Sequence, residues 1–503
     1  MTETIAGLGV SPLEIPVVLG AVVLILARWF PARARGPITL AGVAAVVPAG
    51  AALLVLGVRW QLVPVLAGAA IALLFAAPPL LRRRPERPAR RAPWWAALPG
   101  SAACLGLVAA GAAAAWAFPR PVFPEPSGPY AVGTTVTQWT DPDRPETATP
   151  GPGDRRTVVV QLWYPARKSP ASVERARYLG RTEREARVVS RGLADYMGVP
   201  GFLLDEVPRA RTRSVSGAAV ADGGGRFPLV LFSPGLGGVR TQSTAWAEEL
   251  ASRGYVVAAL DHPYDSAAVV LADGRTVRTR IAATGDPAED ARRAASWTAV
   301  RAGDLSFVLT QLGRLDRGEI PGSLAGRLDI RRAAATGHSL GGAAALQAAR
   351  QDPRFAAVIN LDGFPRDPAP QPFRQPALAL TAPVAPGENP TYIPRLTQVL
   401  KLSTAAGYHL TVPGSAHLTF TDAPLYLPPV PALVGSPGRT AGPRLTAAAT
   451  VAFLDVALRG RPGDPAETLP AYGDLTVHRP AGGPVPGTTG RPDADTARSG
   501  TRP

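Results

Sequence analysis

A short glycine-flanked serine motif is the part of the chain with the clearest chemistry. Residues 337–341 read Gly-His-Ser-Leu-Gly, which fits the pattern G-x-S-x-G, and a further glycine follows at position 342. The run 332–336 before it is predicted to be a strand, and the small-residue stretch 341–350 is predicted to be a helix. A sharp turn between strand and helix exposes a serine hydroxyl at the carboxyl end of the strand. The motif therefore predicts that Ser339 is the nucleophile of an acyl-transfer reaction.

A serine hydroxyl attacks a carbonyl only when a base removes its proton, so a histidine is needed. The chain has five histidines. In folds with this type of turn the base follows the nucleophile in sequence, which excludes His262 and His338. His409 falls inside a predicted strand, and His478 falls in a predicted tail. His417, in a loop just after a predicted strand, is therefore the predicted general base.

The histidine in turn needs a carboxylate that fixes its tautomer and stabilises the imidazolium. The acids between the nucleophile and the base are Asp352, Asp362, Asp367 and Glu388. Asp362 directly follows the predicted strand 356–361 and should point to the same sheet edge as the nucleophile. Glu388, after the next strand, is the rival, because many folds of this class place the acid there. The prediction is Asp362, with Glu388 as the alternative.

The negative charge that develops on the carbonyl oxygen needs hydrogen-bond donors that are fixed in advance. One predicted donor is the backbone N–H of Leu340, the residue after the nucleophile. The other is predicted after the strand 227–232, where residues 235–238 read Gly-Leu-Gly-Gly and let backbone amides turn inward. We assign the backbone N–H of Leu236 to this second role.

Alternating strand and helix patterns surround these residues. An antiparallel strand pair, 130–139 and 156–164, and a helix at 181–195 come first. The further predicted strands are 227–232, 255–260, 332–336, 356–361, 376–381 and 408–412, and the further predicted helices are 242–253, 286–315, 341–350, 394–402 and 441–458. Such alternation predicts an α/β fold with a mainly parallel, doubly wound sheet.

The first 120 residues are much more apolar than the rest. Uncharged stretches cover residues 15–27, 36–58, 60–81 and 92–119, and the last three are 23, 22 and 28 residues long. Each of these three can cross about 30 Å of hydrocarbon as a helix. The first can span from Ser11 to Phe30 when its flanking charges reach the interface. The sequence therefore predicts four transmembrane helices, and their lack of internal charges favours an anchor over a transporter.

Arginine counts in the loops predict the orientation, because Lys and Arg are retained on the cytoplasmic side. The loop after the first span holds Arg33 and Arg35, and the loop after the third holds six arginines between positions 82 and 91. Both loops are predicted inside, which places the chain after about residue 120 outside. The prediction is a multi-pass protein of the plasma membrane with an extracytoplasmic catalytic domain.

The predicted organisation has four segments. They are a four-span anchor over 1–118, a proline-rich spacer over 119–129, a catalytic domain over 130–472 and a disordered tail over 473–503. The net charge is +15, but no stripe of basic residues alternates with aromatics, so no nucleic-acid partner is predicted. Cys104 is the only cysteine, which excludes an intrachain disulfide and a cysteine metal cluster. No metal or cofactor is expected.

Several motifs together resemble one family of α/β-hydrolases. They are Phe-Ser-Pro-Gly-Leu-Gly at 232–237, Asp-His-Pro at 261–263, Gly-His-Ser-Leu-Gly-Gly at 337–342, the acid at 362 and Gly-Ser-Ala-His at 414–417. Over about residues 128–460 the chain resembles the secreted platelet-activating-factor acetylhydrolase family and its bacterial lipase relatives. The resemblance implies an α/β-hydrolase fold, ester hydrolysis through an acyl-enzyme, no metal, and the acid at Asp362 rather than Glu388. The chain departs from the animal enzymes at Pro234, where they carry His, and at 363–365, where it reads Gly-Phe-Pro.

These features predict a membrane-anchored serine ester hydrolase that cleaves lipid or phospholipid acyl esters with a Ser-Asp-His triad. Its expected partners are the ester substrate and the lipid bilayer. One alternative is a hydrolase for polyesters or small esters with the same triad. Another is a catalytically inactive module that binds lipid or a partner protein.

Overall fold

The computed structural model describes residues 11–81, 93–223, 225–281, 284, 286–384 and 389–480. The first helices in these ranges are α1 (Glu14–Ala27), α2 (Ala32–Leu56), α3 (Val63–Leu81) and α4 (Trp94–Ala117). The strands are β1 (Ala131–Pro145), β2 (Arg155–Ala166), β3 (Val215–Ser216), β4 (Phe227–Ser233), β5 (Val256–Asp261), β6 (Ala268–Val270), β7 (Thr276–Arg278), β8 (Leu328–His338), β9 (Phe355–Leu361), β10 (Ala377–Thr381), β11 (Gly407–Thr411) and β12 (Asp474–His478). The later helices are α5 (Glu183–Met197), α6 (Thr244–Ser252), α7 (Pro287–Asp316), α8 (Leu340–Gln351), α9 (Tyr392–Lys401), α10 (Pro431–Val434), α11 (Ala441–Ala457) and α12 (Pro465–Thr468).

Within the described residues, ten strands form one mixed sheet in the order β12-β11-β10-β9-β8-β4-β5-β2-β1-β3. The strands from β11 to β5 in this order run parallel, whereas β12 and β2 pair antiparallel with the two ends of this parallel block. Every residue of β4 and β5 is buried, as expected for parallel strands that are covered on both faces. The predicted α/β fold with a mainly parallel sheet is confirmed.

Helices cover the sheet on both faces. On one face, α7, α8 and α9 contribute Leu305, Leu346 and Leu396 to a buried apolar cluster with the strands. On the other face, α6 and α11 contribute Trp246 and Phe453 to a second cluster. The two layers hold the carboxyl ends of the parallel strands in fixed positions, and the loops that follow these ends carry the predicted site.

The predicted tail begins too early in the sequence. Residues 474–478, assigned to a disordered tail, form the edge strand β12 and pair antiparallel with β11. Leu475 and Val477 pack against the second apolar cluster, so this short alternating stretch does have apolar surface to bury. His478 therefore lies on a strand, and residues 481–503 are outside the described part of the chain.

The proline-rich segment 119–129 is not a free spacer. Phe123 is 1% exposed, and its ring lies 4.8 Å from that of Tyr178. Arg120 forms an ion pair of 2.7 Å with Glu206, and the backbone N–H of Ser127 donates to Glu249. The segment therefore packs along the catalytic domain, because one apolar and two polar anchors fix it, and does not lift the domain away from the helices.

The first four helices form an apolar bundle. Two of them contain stretches long and apolar enough to cross a membrane, Arg33–Leu56 and Ala97–Ala117, whereas Glu14–Ala27 and Trp60–Ala76 are shorter apolar helices. Within the described residues, two of the four predicted spans thus meet the criteria of length and composition for crossing a membrane. Leu54, Leu74 and Phe75 are 71%, 73% and 76% exposed on the bundle surface, whereas Cys104 is buried inside it.

A buried carboxyl group joins α6 to the loop before β3. Glu248 is 1% exposed, and its Oε1 accepts hydrogen bonds from the backbone N–H groups of Arg213 (2.9 Å) and Ser214 (2.7 Å). Its Oε2 has no partner among the described residues. Burial raises the pKa of Glu248 to about 7, because the hydrogen bonds that the carboxyl group accepts offset only part of the desolvation of its charged form.

We expect Glu248→Gln to increase the free energy of unfolding at pH 8 and to leave it nearly unchanged at pH 4.5. Because the folded-state pKa lies above the reference value of 4.5, the stabilisation is complete below pH 4.5 and is lost as the pH rises through about 7. Glutamine keeps the acceptor and carries no charge, so the gain at pH 8 should be on the order of 2–3 kcal/mol. Urea unfolding of the full chain in detergent at both pH values measures it.

The neighbouring Glu249→Gln is the matched control. Burial opposes ionisation of Glu249, but hydrogen bonds from Ser127 and Arg253 outweigh it and lower the pKa. This carboxyl group therefore stays ionised from pH 4.5 to pH 8 in the folded chain, and its replacement should not add stability at pH 8. If both variants changed the free energy of unfolding at pH 8 equally, the assignment of the raised pKa to Glu248 would be contradicted.

Candidate active site

The predicted nucleophile lies in a strained turn between β8 and α8. Ser339 has φ 55° and ψ −122°, a conformation that residues other than glycine rarely adopt. Its backbone N–H donates a 2.8 Å hydrogen bond to the carbonyl of Leu361, the last residue of β9. This bond joins the turn to the neighbouring strand, so the packing of two strands and a helix holds the serine at the carboxyl edge of the sheet.

Two glycines make this turn possible. A Cβ atom at Gly337 would lie closer than 3.0 Å to the backbone of Gly341 and to the carbonyl oxygen of Ser233. A Cβ atom at Gly341 would meet the carbonyl oxygens of Ser233 and Pro234 equally closely. Only glycine avoids these backbone clashes, so the turn requires both glycines of the motif.

The predicted base and acid are in direct contact. Asp362 follows β9, and its Oδ2 lies 2.7 Å from Nδ1 of His417. Its Oδ1 accepts from the backbone N–H of Ala382 (3.1 Å) and from the hydroxyl of Tyr392 (3.2 Å). The Asp362 side chain is 6% exposed and that of His417 is 46% exposed. A carboxylate held in this way keeps the proton on Nδ1 and leaves Nε2 free to accept one.

His417 is also held beside the nucleophile through its backbone. Nε2 of His338, the residue before Ser339, donates a 2.9 Å hydrogen bond to the His417 carbonyl, and the two imidazole rings are 4.6 Å apart. Among the described residues, no hydrogen bond joins the hydroxyl of Ser339 to Nε2 of His417. Such bonds are often long in free enzymes and shorten when substrate binds.

The other candidates for base and acid have structural partners. His262 is fully buried between Ser233 and Asp304, and His409 bonds to the Thr381 hydroxyl on β10. The remaining acids pair with arginines: Asp352 with Arg354 and Asp367 with Arg350. The rival acid Glu388 lies outside the described residues.

Both predicted oxyanion donors lie beside the nucleophile. Leu340 is the first residue of α8, so its N–H has no acceptor within the helix. Residues 235–238 form a tight turn in which the N–H of Gly238 donates to the carbonyl of Gly235, and Gly237 has φ 68°. A Cβ atom at Gly235 would lie 3.5 Å from Cβ of Ser339. In the described part of the chain, the N–H of Leu236 has no acceptor.

Sequence reasoning missed four side chains that support the site. They are Gln242 and Arg301 beside the 235–238 turn, His338 beside His417, and Tyr392 on the acid. Arg301 had a detectable signal, since it shares a helical face with Leu305 and Val308, which are apolar and buried. No sequence signal pointed to the other three side chains, because their roles depend on contacts between distant segments. Within the described ranges, no group of three or more His, Cys, Asp or Glu residues could hold a metal ion.

Comparisons with known proteins agree on one family. The family model "Platelet-activating factor acetylhydrolase, isoform II" matches residues 116–283 and 310–458. The platelet-activating factor acetylhydrolase of Cavia porcellus is 27% identical over 277 residues, which are 49% of this chain and 56% of the relative. A probable 1-alkyl-2-acetylglycerophosphocholine esterase of Arthroderma benhamiae is 26% identical over 245 residues, 48% of this chain and 59% of the relative. The chain thus spans a little over half the length of these curated relatives.

A solved structure extends the comparison. The ferulic acid esterase of Streptomyces cinnamoneus superposes with a TM-score of 0.56 and 31% sequence identity, and the match covers 71% of this chain and 98% of that one. The family match begins at the end of α4 and covers β1 to β11, the turn at Ser339 and the loops of Asp362 and His417. The chain belongs to the platelet-activating factor acetylhydrolase isoform II family and has its α/β-hydrolase fold.

Proposed function

We propose that the protein is a membrane-anchored serine carboxylic-ester hydrolase that works through an acyl-enzyme. Ser339 is the nucleophile, His417 the general base, and Asp362 the acid that orients it. The observation that carries the proposal is the arrangement at the carboxyl edge of the sheet. There Oδ2 of Asp362 lies 2.7 Å from Nδ1 of His417. The backbone N–H of Ser339 donates a hydrogen bond to the carbonyl of Leu361, the residue just before Asp362.

The first half of the reaction transfers the acyl group to the enzyme. Nε2 of His417 takes the hydroxyl proton of Ser339 as Oγ forms a bond to the ester carbonyl carbon. The carbonyl oxygen becomes an oxyanion that accepts hydrogen bonds from the N–H groups of Leu236 and Leu340, and each such donor contributes about 3–4 kcal/mol. When the intermediate collapses, the bond to the alkoxy oxygen breaks, and His417 gives its proton to the departing alcohol.

The second half releases the acid. A water molecule loses a proton to His417 and attacks the carbonyl carbon of the acyl-enzyme. The same two N–H groups hold the second oxyanion. The bond to Oγ of Ser339 then breaks, the serine recovers its proton from His417, and a carboxylic acid leaves. Asp362 stays ionised throughout and stabilises the imidazolium in both steps.

Lipid or phospholipid acyl esters are the proposed substrates. The relatives named above are an acetylhydrolase of platelet-activating factor and a probable 1-alkyl-2-acetylglycerophosphocholine esterase. An aromatic ring lies beside the site, since the ring of Tyr196 covers Gly237 of the oxyanion turn and Tyr196 is 39% exposed. Such a ring suits a substrate with a hydrocarbon chain.

A small aromatic ester is the second candidate substrate. It is favoured by the ferulic acid esterase, which is 31% identical to this chain and is matched over 98% of its own length. Both candidates use the same triad, and they differ in what fills the space beside it. A catalytically inactive binding module is the alternative of a different class, and labelling by a fluorophosphonate would exclude it.

The bundle of α1 to α4 is proposed as a four-helix anchor with the catalytic domain outside the cytoplasm. The parts that this topology places outside the cytoplasm gather at one end of the bundle. Glu14, at the start of α1, forms a buried 2.6 Å ion pair with Arg59 in the α2–α3 turn. In the same turn Trp60 contacts Phe202 of the catalytic domain, with ring centroids 5.1 Å apart. Arg439 of that domain donates to the carbonyl of Trp116 near the end of α4.

We expect Asp362→Asn to lower kcat by roughly 10³–10⁴ with little change in KM, because the neutral amide neither orients His417 correctly nor stabilises the imidazolium. Asparagine tolerates the positive φ of this position, so the backbone should be preserved. Steady-state kinetics on a p-nitrophenyl ester measures the effect. Glu388→Gln is the control and should remain within about threefold of the unmodified chain. Loss of activity in that variant alone would make Glu388 the acid.

We expect the full chain to hydrolyse p-nitrophenyl acetate and Ser339→Ala to be inactive. A panel from acetate to palmitate, with methyl ferulate added, separates the substrate classes. Activity confined to short acyl chains supports an acetylhydrolase, a long-chain optimum supports a lipase, and preference for methyl ferulate supports a small-ester enzyme. A chain that hydrolyses none of these and is not labelled by a fluorophosphonate is not a serine esterase.

We expect alkaline phosphatase fused after residue 120 to be active in a bacterial host and green fluorescent protein fused there to be dark. The reverse pair is expected after residue 87, in the loop with six arginines. The two reporters fold only on opposite sides of the membrane, so each fusion site controls for the other. Fluorescence after residue 120 would place the catalytic domain in the cytoplasm.

A further inference from the structure

The oxyanion loop, residues 234–238, is held from behind by a buried arginine. Arg301 on α7 is fully buried. Its Nη1 donates to the carbonyl of Pro234, and its Nη2 donates to the carbonyl of Gly235 at 3.0 Å. Asp265 binds the other edge of the guanidinium, with both contacts at 2.5 Å. One planar side chain thus fixes two consecutive carbonyl groups of the loop, which its rigid fork of donors suits.

A glutamine holds the same loop from the opposite side. The backbone N–H of Gly235 donates to Oε1 of Gln242 at 2.8 Å. Because that oxygen faces a donor, the other end of the amide, Nε2, donates to Nδ1 of His338 at 2.9 Å. His338 therefore carries its proton on Nε2, from which it donates to the carbonyl of His417. Burial, with the nearby His417 ring, lowers the pKa of His338 to about 3, so the imidazole stays neutral as this chain of bonds requires.

These contacts determine where the N–H of Leu236 points. The carbonyl of Gly235 and the N–H of Leu236 belong to one peptide unit, and in a trans peptide the two groups point in opposite directions. Arg301 binds the carbonyl, so the N–H is directed away from Arg301 and remains without an acceptor in the described part of the chain. A charged donor on the carbonyl also polarises the peptide and makes its N–H a stronger donor.

We propose that Arg301 is a positioning residue for ester hydrolysis, which aims the N–H of Leu236 at the oxyanion by holding the carbonyls of Pro234 and Gly235. Gln242 holds the opposite edge of Gly235 and connects the oxyanion loop to the backbone of His417. The inference rests on the proposed function, since it needs Leu236 as an oxyanion donor. Arg301 itself touches neither substrate nor reacting atoms, and Asp265 balances its charge.

The test compares Arg301→Lys with Arg156→Lys in the full chain. Lysine keeps the charge near Asp265, but a single ammonium cannot hold both carbonyls and the carboxylate in the same geometry. Arg156 is 5% exposed and lies in the neighbouring ion-pair network with Glu146 and Asp304, and it makes no contact with the oxyanion loop. Its variant therefore reports the general effect of disturbing a buried arginine.

The readouts separate positioning from stability. They are kcat and KM for a p-nitrophenyl ester, inhibition by a trifluoromethyl ketone, which forms an oxyanion on Ser339, and inhibition by an ether of the same shape, which does not. For Arg301→Lys we expect kcat to fall about 10²-fold, the inhibition constant of the ketone to rise in parallel, and KM and the inhibition constant of the ether to change little. For Arg156→Lys we expect kcat within about threefold of the unmodified chain.

Several outcomes would overturn the inference. One is an Arg301→Lys chain with normal kcat and ketone inhibition, and another is an equal loss in Arg156→Lys. If Arg301→Lys does not fold, Asp265→Asn takes its place, because it frees one edge of the guanidinium while keeping the arginine. We expect about a tenfold loss of kcat there, and an unchanged kcat would overturn the inference. An unmodified chain that turns over no ester would instead overturn the proposed function, and this inference with it.

Discussion

The backbone conformation of Ser339 is the constraint on which the rest of the site depends. A positive φ at a residue with a side chain costs on the order of 1–3 kcal/mol, and it persists only where the surroundings over-determine it. Here Gly337 and Gly341 let β4, β8 and α8 approach one another at backbone distance. The hydrogen bond from Ser339 to Leu361 then brings β9 into the same turn. The residue after Leu361 is Asp362, which also has positive φ, 52°. Nucleophile and acid are thus positioned by one set of backbone contacts.

Buried charges hold the loops around this edge. Asp304 is fully buried and binds His262, Arg156 and Arg144. Burial opposes its ionisation, but Arg156 and His262 outweigh that effect, and the pKa of Asp304 is lowered. A buried ion pair adds little net stability, because the desolvation of both charges offsets their attraction. The hydrogen bonds of such an ion pair, however, restrict the relative positions of its side chains. Arg156 also donates to the carbonyl of Pro263, which suits a role of this network in fixing the loop 261–266 more than in stabilising the fold.

The turn at Ser339 and the positions of Asp362 and His417 after strand ends were predictable from sequence, whereas the contacts that support them from distant segments were not. Strand and helix periodicity predicted the helix 286–315, and α7 spans Pro287–Asp316 with Asp286 accepting the N–H groups of Ala288 and Glu289 as its N-cap. The turn at Ser339 followed from glycine spacing, which is a local property. The packing of Phe123 and the pairing of β12 each depend on a partner far away in sequence. The same holds for Gln242, whose Nε2 donates a 2.9 Å hydrogen bond to Nδ1 of His338, 96 residues further along the chain.

The contacts between the bundle and the catalytic domain form a continuous packed path to the oxyanion loop. Trp60 in the bundle contacts Phe202, and Phe202 lies in the turn 201–204, whose Leu204 carbonyl accepts the hydroxyl of Ser190 on α5. Tyr196 lies in the last turn of that helix, and its ring covers Gly237. Because packed interiors transmit small displacements, the position of the bundle and the geometry of the loop are not independent. A tether that packs closely, as residues 119–129 do, keeps this path intact. A flexible spacer would break the path, so the packed proline-rich segment fits an enzyme whose proposed substrates lie in the same bilayer as its proposed anchor.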